Sequence, residues 1–161
     1  MKIALVTDTH FGARNDHDHF NNYFYEFYDN IFFPYLKEHN IDTCIHLGDV
    51  MDRRKFVSYK TAKDFREKFC ETFVTNDINV HMIVGNHDTY FKNTNDVNSL
   101  DELIGSRYEN IKIYRETETV DFDIPICFIP WINSTNEKQT IEYISKTNAT
   151  VAMGHLEIKG F

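Results

Sequence analysis

Ile83-Val84-Gly85-Asn86-His87-Asp88 decides how the rest of the chain is read. An apolar run, Val80 to Val84, stops at a glycine, and three polar, metal-competent side chains follow at once. A buried strand delivers chemistry in this way, because the strand is rigid and the loop at its carboxyl end carries the reactive groups. Alone, Gly-Asn-His-Asp also suits an ordinary turn. The arrangement recurs three more times, however. Ile3-Ala4-Leu5-Val6 runs into Thr7-Asp8-Thr9-His10, and Thr43-Cys44-Ile45-His46-Leu47 runs into Gly48-Asp49-Val50-Met51-Asp52. Thr150-Val151-Ala152-Met153 runs into Gly154-His155. Four short β-leaning runs, placed in one parallel sheet, would gather Asp8, His10, Asp49, Asn86, His87 and His155 at one edge. Carboxylate, imidazole and amide oxygen together suit Mn²⁺, Fe²⁺ or Zn²⁺. None of the three cysteines falls in these loops, so a thiolate site is not expected.

The ordered set Asp8-x-His10, Gly48-Asp49-x-x-Asp52-Arg53, Gly85-Asn86-His87-Asp88 and Gly154-His155 resembles the calcineurin-like metallophosphoesterase superfamily. Three further stretches are Asp52-Arg53-Arg54-Lys55, Ile129-Pro130-Trp131 and Gly154 through Phe161. They resemble the SbcD-type DNA-repair nucleases and, among these, the small subunits of T-even phage recombination endonucleases. The resemblance covers essentially all of the chain. It implies an α/β fold of layered β-sheets flanked by helices. It also implies a metal-dependent phosphodiesterase or DNA nuclease that works with two divalent metal ions, Mn²⁺ being favoured, in recombination and double-strand-break repair.

By the same resemblance, Asp8 and His10 hold one metal, Asn86 and His155 the other, and Asp49 bridges both. His87 gives a hydrogen bond or proton to the phosphate or leaving oxygen, and Asp52 orients a neighbouring ligand or His87. Arg53, Arg54 and Lys55 form a basic loop that contacts phosphate. The implied partners are DNA, an SMC-like ATPase subunit and a second copy of the chain in a homodimer. The family also carries a later Gly-His-x-His element, and none follows His155 in this sequence. The chain is therefore expected to be the amino-terminal, incomplete part of a longer nuclease domain. Two other functions stay open: a metallophosphoesterase acting on nucleotides or phosphoproteins, and a catalytically incomplete piece that serves in assembly.

Composition bounds these readings. A chain of 161 residues allows one domain with a real core, and 15% aromatic content argues for a folded globule. Seventeen basic against 25 acidic residues leave a formal charge of −8, which argues against strong nonspecific DNA binding by this chain alone. Divalent cations at the acidic loops would offset that charge locally. Cys44, Cys70 and Cys127 are odd in number and lie in apolar or helical patterns, as in a reduced intracellular protein. Met1-Lys2 leads straight into a strand, leaving no room for a signal peptide, and no apolar stretch approaches the roughly 18 residues of a membrane span. A cytoplasmic protein is expected.

Along the chain, Phe20, Phe24, Phe27, Ile31 and Leu36 recur at helical spacing, in a helix opened by Asn15 or Asp16 and kinked or broken at Pro34. Asp16-His17-Asp18-His19 reads as the charged start of that helix, because consecutive helical residues face different ways. His46 reads as a hydrogen-bonded strand residue. Ser58 caps a second helix with Tyr59, Ala62, Phe65, Phe69 and Phe73 on one face. Thr89 to Asn95 reads as an active-site loop. Within it, Tyr90 and Phe91 either stack on bases or, the favoured reading, pack against the neighbouring loop. A short helix around Val97 to Ile104 follows. Ile111–Tyr114, Thr119–Phe122 and Ile126–Ile129 predict a second, largely antiparallel sheet, and a last helix carrying Ile141 and Ile144 leads into the fourth motif strand.

Overall fold

A computed structural model describes residues 1–157; the closing cue Ile158 to Phe161 lies outside the described residues. Among the described residues the apolar runs form seven strands in two sheets. β1 (Ala4–Val6), β2 (Thr43–His46), β3 (Asn79–Ile83) and β4 (Ile111–Tyr114) make a parallel sheet in that order. β5 (Glu118–Asp121) pairs antiparallel with β6 (Pro125–Ile129), and β6 pairs parallel with β7 (Val151–Gly154). Helices flank the sheets, giving the layered α/β architecture that the motifs imply.

Two strands join other sheets than the sequence suggests. β4 completes the first sheet, and the fourth motif strand, β7, belongs to the second. The connections explain both. The chain travels from β3 to β4 through the helix Ser99–Leu103, and a crossover of that length returns it parallel to the strand it left. A tight turn, with Phe122 N donating to Ile124 O at 3.1 Å, commits β5 and β6 to antiparallel pairing. The helix Glu137–Lys146 then carries the chain back parallel to β6.

Alternation along the strands divides the core in two. Cys44, Val80 and Met82 face the helices, where they meet Phe11, Phe65, Phe69 and Phe73. Ile45, Ile83 and Tyr114 face the second sheet and pack on Ile126 and Phe128. Phe69 sits edge-on to Phe73 at 4.9 Å and to Phe11 at 5.2 Å, contacts of about 0.5–1.5 kcal/mol each beyond burial.

Both long helical runs contain a widened π-helical turn. The first runs through Asp18–Phe27, the π turn Tyr28–Phe32 and Phe33–Glu38. Pro34 enters just past the widened turn, so its missing donor falls where the bonding pattern changes and the run continues. Ser58 Oγ accepts from Thr61 N at 3.1 Å and caps the second run, Tyr59–Asp64, the π turn Phe65–Cys70 and Glu71–Thr75. The first run does not open at Asn15 or Asp16. Arg14, Asn15 and Asp16 adopt left-handed conformations (φ 56°, 59° and 59°), each costing about 1 kcal/mol or more. Asp16 instead accepts hydrogen bonds from Ser58 Oγ at 2.9 Å, from Thr61 and from Arg53. Burial opposes its ionisation, but these donors outweigh it and hold the Asp16 carboxyl below the usual carboxylate range.

The three cysteines are buried free thiols. Among the described residues no helix is long and apolar enough to cross a membrane.

Candidate metal centre

At the carboxyl ends of β1 and β2 the pairing continues past the sheet. Asp8 N donates to Gly48 O at 3.1 Å, His10 N to Asp49 O at 3.1 Å and Phe11 N to Val50 O at 2.8 Å. This ladder holds Asp8, His10 and Asp49 in left-handed conformations, at φ 53°, 43° and 54°. Non-glycine residues persist there only where their surroundings impose it, and such strain clusters at functional sites.

The third motif loop is clasped to the second. Asp88, fully buried, accepts from Met51 N and from Gly85 N, both at 2.9 Å. Burial pushes its carboxyl up to about 7 against the pull of those two donors. Asp49 Oδ1 accepts from His87 N at 2.8 Å. Gly48 and Gly85 face each other so closely that a Cβ on Gly48 would lie 2.9 Å from Gly85 Cα. The second sheet is stitched on by Trp131 N donating to Val84 O at 2.9 Å, while His155 N donating to Ile129 O at 3.0 Å extends the β6–β7 pairing and fixes His155 within it.

These ties bring Asp8, His10, Asp49, Asn86, His87 and His155 together. The donor atoms of His10, Asp49 and His87 lie within 4.8 Å of one another, as do those of Asp8, Asp49 and His155. Asp49, only 4% exposed, belongs to both groups. Asn86 Oδ1 lies 2.8 Å from His155 Nε2, and His10 Nε2 lies 3.6 Å from Asp8 Oδ1.

The chemistry of this donor set fits divalent cations. His155 spends Nδ1–H on the Leu47 carbonyl at 2.9 Å, which leaves the Nε2 lone pair facing Asn86 Oδ1 and Asp49 Oδ1. His87 spends Nδ1–H on the Asp52 carbonyl at 2.5 Å, which leaves Nε2 toward Asp49 Oδ2 at 4.0 Å. Lone pairs converging on carboxylate oxygens call for a positive charge between them. Imidazoles fixed by a backbone carbonyl are the usual form of a metal-binding histidine. The buried His10 Nδ1 lacks a hydrogen-bond partner and lies 3.6 Å from Asp52 Oδ1. Asp52 thus touches both histidines, His87 through its carbonyl and His10 through its carboxylate.

The basic loop behaves differently from a row of free phosphate ligands. Arg53 pairs with Asp16 and lies over Phe56, Arg54 bonds Thr89 Oγ1 at 2.9 Å over the Trp131 ring, and Lys55 lies over Tyr90. All three take partners beside the donor cluster rather than within it. Asp88 carries a positioning task that the motif alone does not reveal, because Asn-His-Asp reads equally as turn chemistry. Asp16, with Ser58 and Thr61, anchors the first motif loop, and no local pattern in the sequence signals it.

His46 stays in the strand as a fully buried, hydrogen-bonded residue. Gly48 N donates to its Nδ1 at 3.3 Å, so Nε2–H donates to Thr9 Oγ1 at 2.9 Å, and Thr9 passes its own proton to Val50 O. Burial pushes the imidazole down to about 3. The unfolded chain binds this proton below pH 6.5 while the folded chain refuses it, so stability falls as pH drops from about 6.5 toward 3. The expected slope is roughly 1.4 kcal/mol per pH unit, read from urea midpoints. His81, pushed down to about 4 by burial, adds in the same direction, and Asp88, pushed up to about 7, opposes them between about pH 7 and 4, so the sum stays near one proton. His46→Gln is expected to remove about one proton from the dependence; an unchanged slope would refute the assignment.

The strand-end ligand cluster on a layered α/β scaffold defines a metal-dependent phosphoesterase, and the chain belongs to the calcineurin-like phosphoesterase family, whose model matches residues 1–159. It is 35% identical over 162 aligned positions to exonuclease subunit 1 of Enterobacteria phage T4. That alignment covers 100% of this chain and 47% of the relative, so the chain spans about half the length of the relative it matches. Among solved structures it is similar to the nuclease MPE of Pseudomonas putida, with 21% identity, TM-score 0.46, and coverage of 78% of this chain and 52% of that one. A protein of unknown function from Aquifex aeolicus matches with 18% identity and TM-score 0.46, covering 98% of this chain and 80% of that one.

Proposed function

We propose that the chain acts as a DNA nuclease of the two-metal type, with Mn²⁺ as its ion, in recombination and double-strand-break repair. The observation that carries this reading is Asp49: one buried carboxylate, shared by two groups of donors at one sheet edge. Asp8 and His10, 3.6 Å apart, would hold one ion and Asn86 and His155, 2.8 Å apart, the other, with Asp49 between them. The donor groups cut across this division, setting Asp8 with His155 and His10 with His87, so the two positions adjoin. Bound there, divalent ions supply Lewis acidity, activating water and neutralising charge on a phosphate.

The chain's own residues do the rest. Asp52 fixes the His87 ring through its carbonyl and leaves Nε2 at the edge of the cluster, 4.0 Å from Asp49 Oδ2, on a side chain 41% exposed. In its imidazolium form, with Nδ1–H kept on the Asp52 carbonyl, the ring would pass the Nε2 proton to a departing oxygen. The Asp52 carboxylate steadies His10. Arg54 and Lys55, whose partners are uncharged, would give the rim of the site positive charge for phosphate, and Arg53 would add to it on leaving Asp16.

A formal charge of −8 leaves this chain a weak binder of DNA alone, which supports a DNA-binding assembly with a second copy and an SMC-like ATPase subunit. The three buried thiols suit a reducing cytoplasm.

The test is Mn²⁺-dependent hydrolysis of three substrates: labelled oligonucleotides, bis(p-nitrophenyl) phosphate and p-nitrophenyl phosphate. Cleavage of the two diesters, lost at least about a hundredfold on chelation and restored by Mn²⁺, is expected. Preference for the monoester would replace the nuclease with a phosphatase. A folded chain that hydrolyses none of the three would leave it an assembly piece.

A further inference from the structure

The second and third motif loops leave the donor cluster side by side, and their contacts continue beyond it. His87 Nδ1 meets the Asp52 carbonyl at 2.5 Å, Arg54 bonds Thr89 Oγ1 at 2.9 Å, and the Lys55 ammonium lies 5.1 Å from the Tyr90 ring centroid. Thr89 is fully buried, and Tyr90 N donates to Val97 O at 2.9 Å, so this part of the loop is fixed in place. Past the tie its surface turns aromatic. Tyr90 and Phe91 meet edge to face at 4.7 Å and are 40% and 47% exposed. Phe56 is 57% exposed, with the Arg53 guanidinium 4.8 Å from its centroid.

The sequence favoured packing for Tyr90 and Phe91. The structure instead leaves both rings half open, because the neighbouring loop meets Tyr90 with a cation rather than an apolar side chain. Rings held this way add little to the core. They offer flat apolar faces flanked by Lys55 and the exposed Lys92, on a chain that is otherwise acidic. A ligand that matches has flat aromatic faces and regularly spaced negative charge. Unpaired nucleotides have both, whereas a duplex hides its base faces in the stack.

Building on the phosphodiesterase reading, we infer that Tyr90 and Phe91 form a stacking ledge for unpaired bases beside the donor cluster. The ledge feeds a single strand or frayed end to the site and makes the chain selective for unpaired DNA.

Binding tests this apart from catalysis. A single-stranded oligonucleotide carrying 2-aminopurine is titrated with the chain in chelator at low salt, where cleavage does not intrude. Wild type is expected to quench the probe, and the Tyr90→Ala/Phe91→Ala variant to bind about tenfold or more weakly. Tyr90→Trp is expected to retain binding, and thermal melting confirms that each variant is folded. No quenching by wild type, an unchanged affinity in the double variant, or an equal loss for a blunt duplex each overturns the ledge. In Mn²⁺ the double variant is expected to lose about tenfold in kcat/KM on the single strand and to stay within about twofold on bis(p-nitrophenyl) phosphate. Ring-dependent binding by a protein that hydrolyses neither substrate would sink the nuclease and keep the ledge. Hydrolysis with ring-independent binding would do the reverse.

Discussion

Replacing Asp49 by asparagine is expected to lower metal-dependent phosphodiester hydrolysis by about a thousandfold or more while leaving the chain folded. The fold survives because an asparagine oxygen can still accept the 2.8 Å hydrogen bond from His87 N. Losing the carboxylate there costs stability on the order of 1 kcal/mol, and removing a buried negative charge beside other carboxylates offsets part of that. Function is another matter. Asp49 Oδ1 lies 3.4 Å from His155 Nε2 and Oδ2 lies 3.9 Å from His10 Nε2, so its two oxygens address different histidines. An amide offers one oxygen and no charge, and cannot serve both. Titration calorimetry with Mn²⁺ is expected to show weakened uptake in parallel with the lost rate. Undiminished hydrolysis by Asp49→Asn would remove the shared carboxylate from the mechanism.

Gly85→Ala is expected to damage both fold and site, costing about 3 kcal/mol and, at roughly 2–4 °C per kcal/mol for a chain of this size, about 10 °C in Tm. The cause is steric. A Cβ at residue 85 would overlap the backbone nitrogen and Oδ1 of Asp49, and backbone cannot step aside as a flexible side chain can. Relief requires the second and third motif loops to part, which would break the Asp88 clasp and carry Asp49 away from His155. Hydrolysis is therefore expected to fall by at least about a hundredfold at a temperature where the variant is still folded. Gly105→Ala is the control. That glycine has φ +51° at the end of the helix Ser99–Leu103, so alanine is strained there by about 1 kcal/mol, but it touches no motif residue. A melting temperature lowered by Gly85→Ala with full activity would contradict this account.

The cluster of site residues was legible in the sequence because each sits immediately after a short apolar run. A strand end is a position that residue type can mark: the β-branched residues stop, and Asp, His or Asn begins. The inward face of the first helical run was only partly legible, since Leu36 is buried but Phe20, Phe27 and Ile31 are exposed and Tyr25, Tyr28 and Phe33 are buried instead; the stripe of Phe65, Phe69 and Phe73 was legible in full. Sheet membership was not. Ile111–Tyr114 and Val151–Gly154 carry similar local patterns, and the length and direction of their connections decide which sheet each joins. The left-handed turn at Arg14, Asn15 and Asp16 contains no glycine to announce it. It is imposed from a distance by Arg53, Ser58 and Thr61, which lie some 40 residues on. The task of Asp88 was hidden because a carboxylate clasping two backbone N–H groups looks the same on paper as one in solvent. Tyr90 and Phe91 could be placed in a loop, but their exposure depends on which side chains the facing loop presents.

The Asp88 clasp bears on how an ion would come and go. The loops that carry Asp49, Asn86 and His87 are drawn together by backbone N–H groups held on one buried side chain, so their shape does not wait on a cation to create it. Uptake then resembles filling a socket more than completing a fold. Emptying and reloading leave the scaffold in place, and ions of similar size compete by supply as much as by fit.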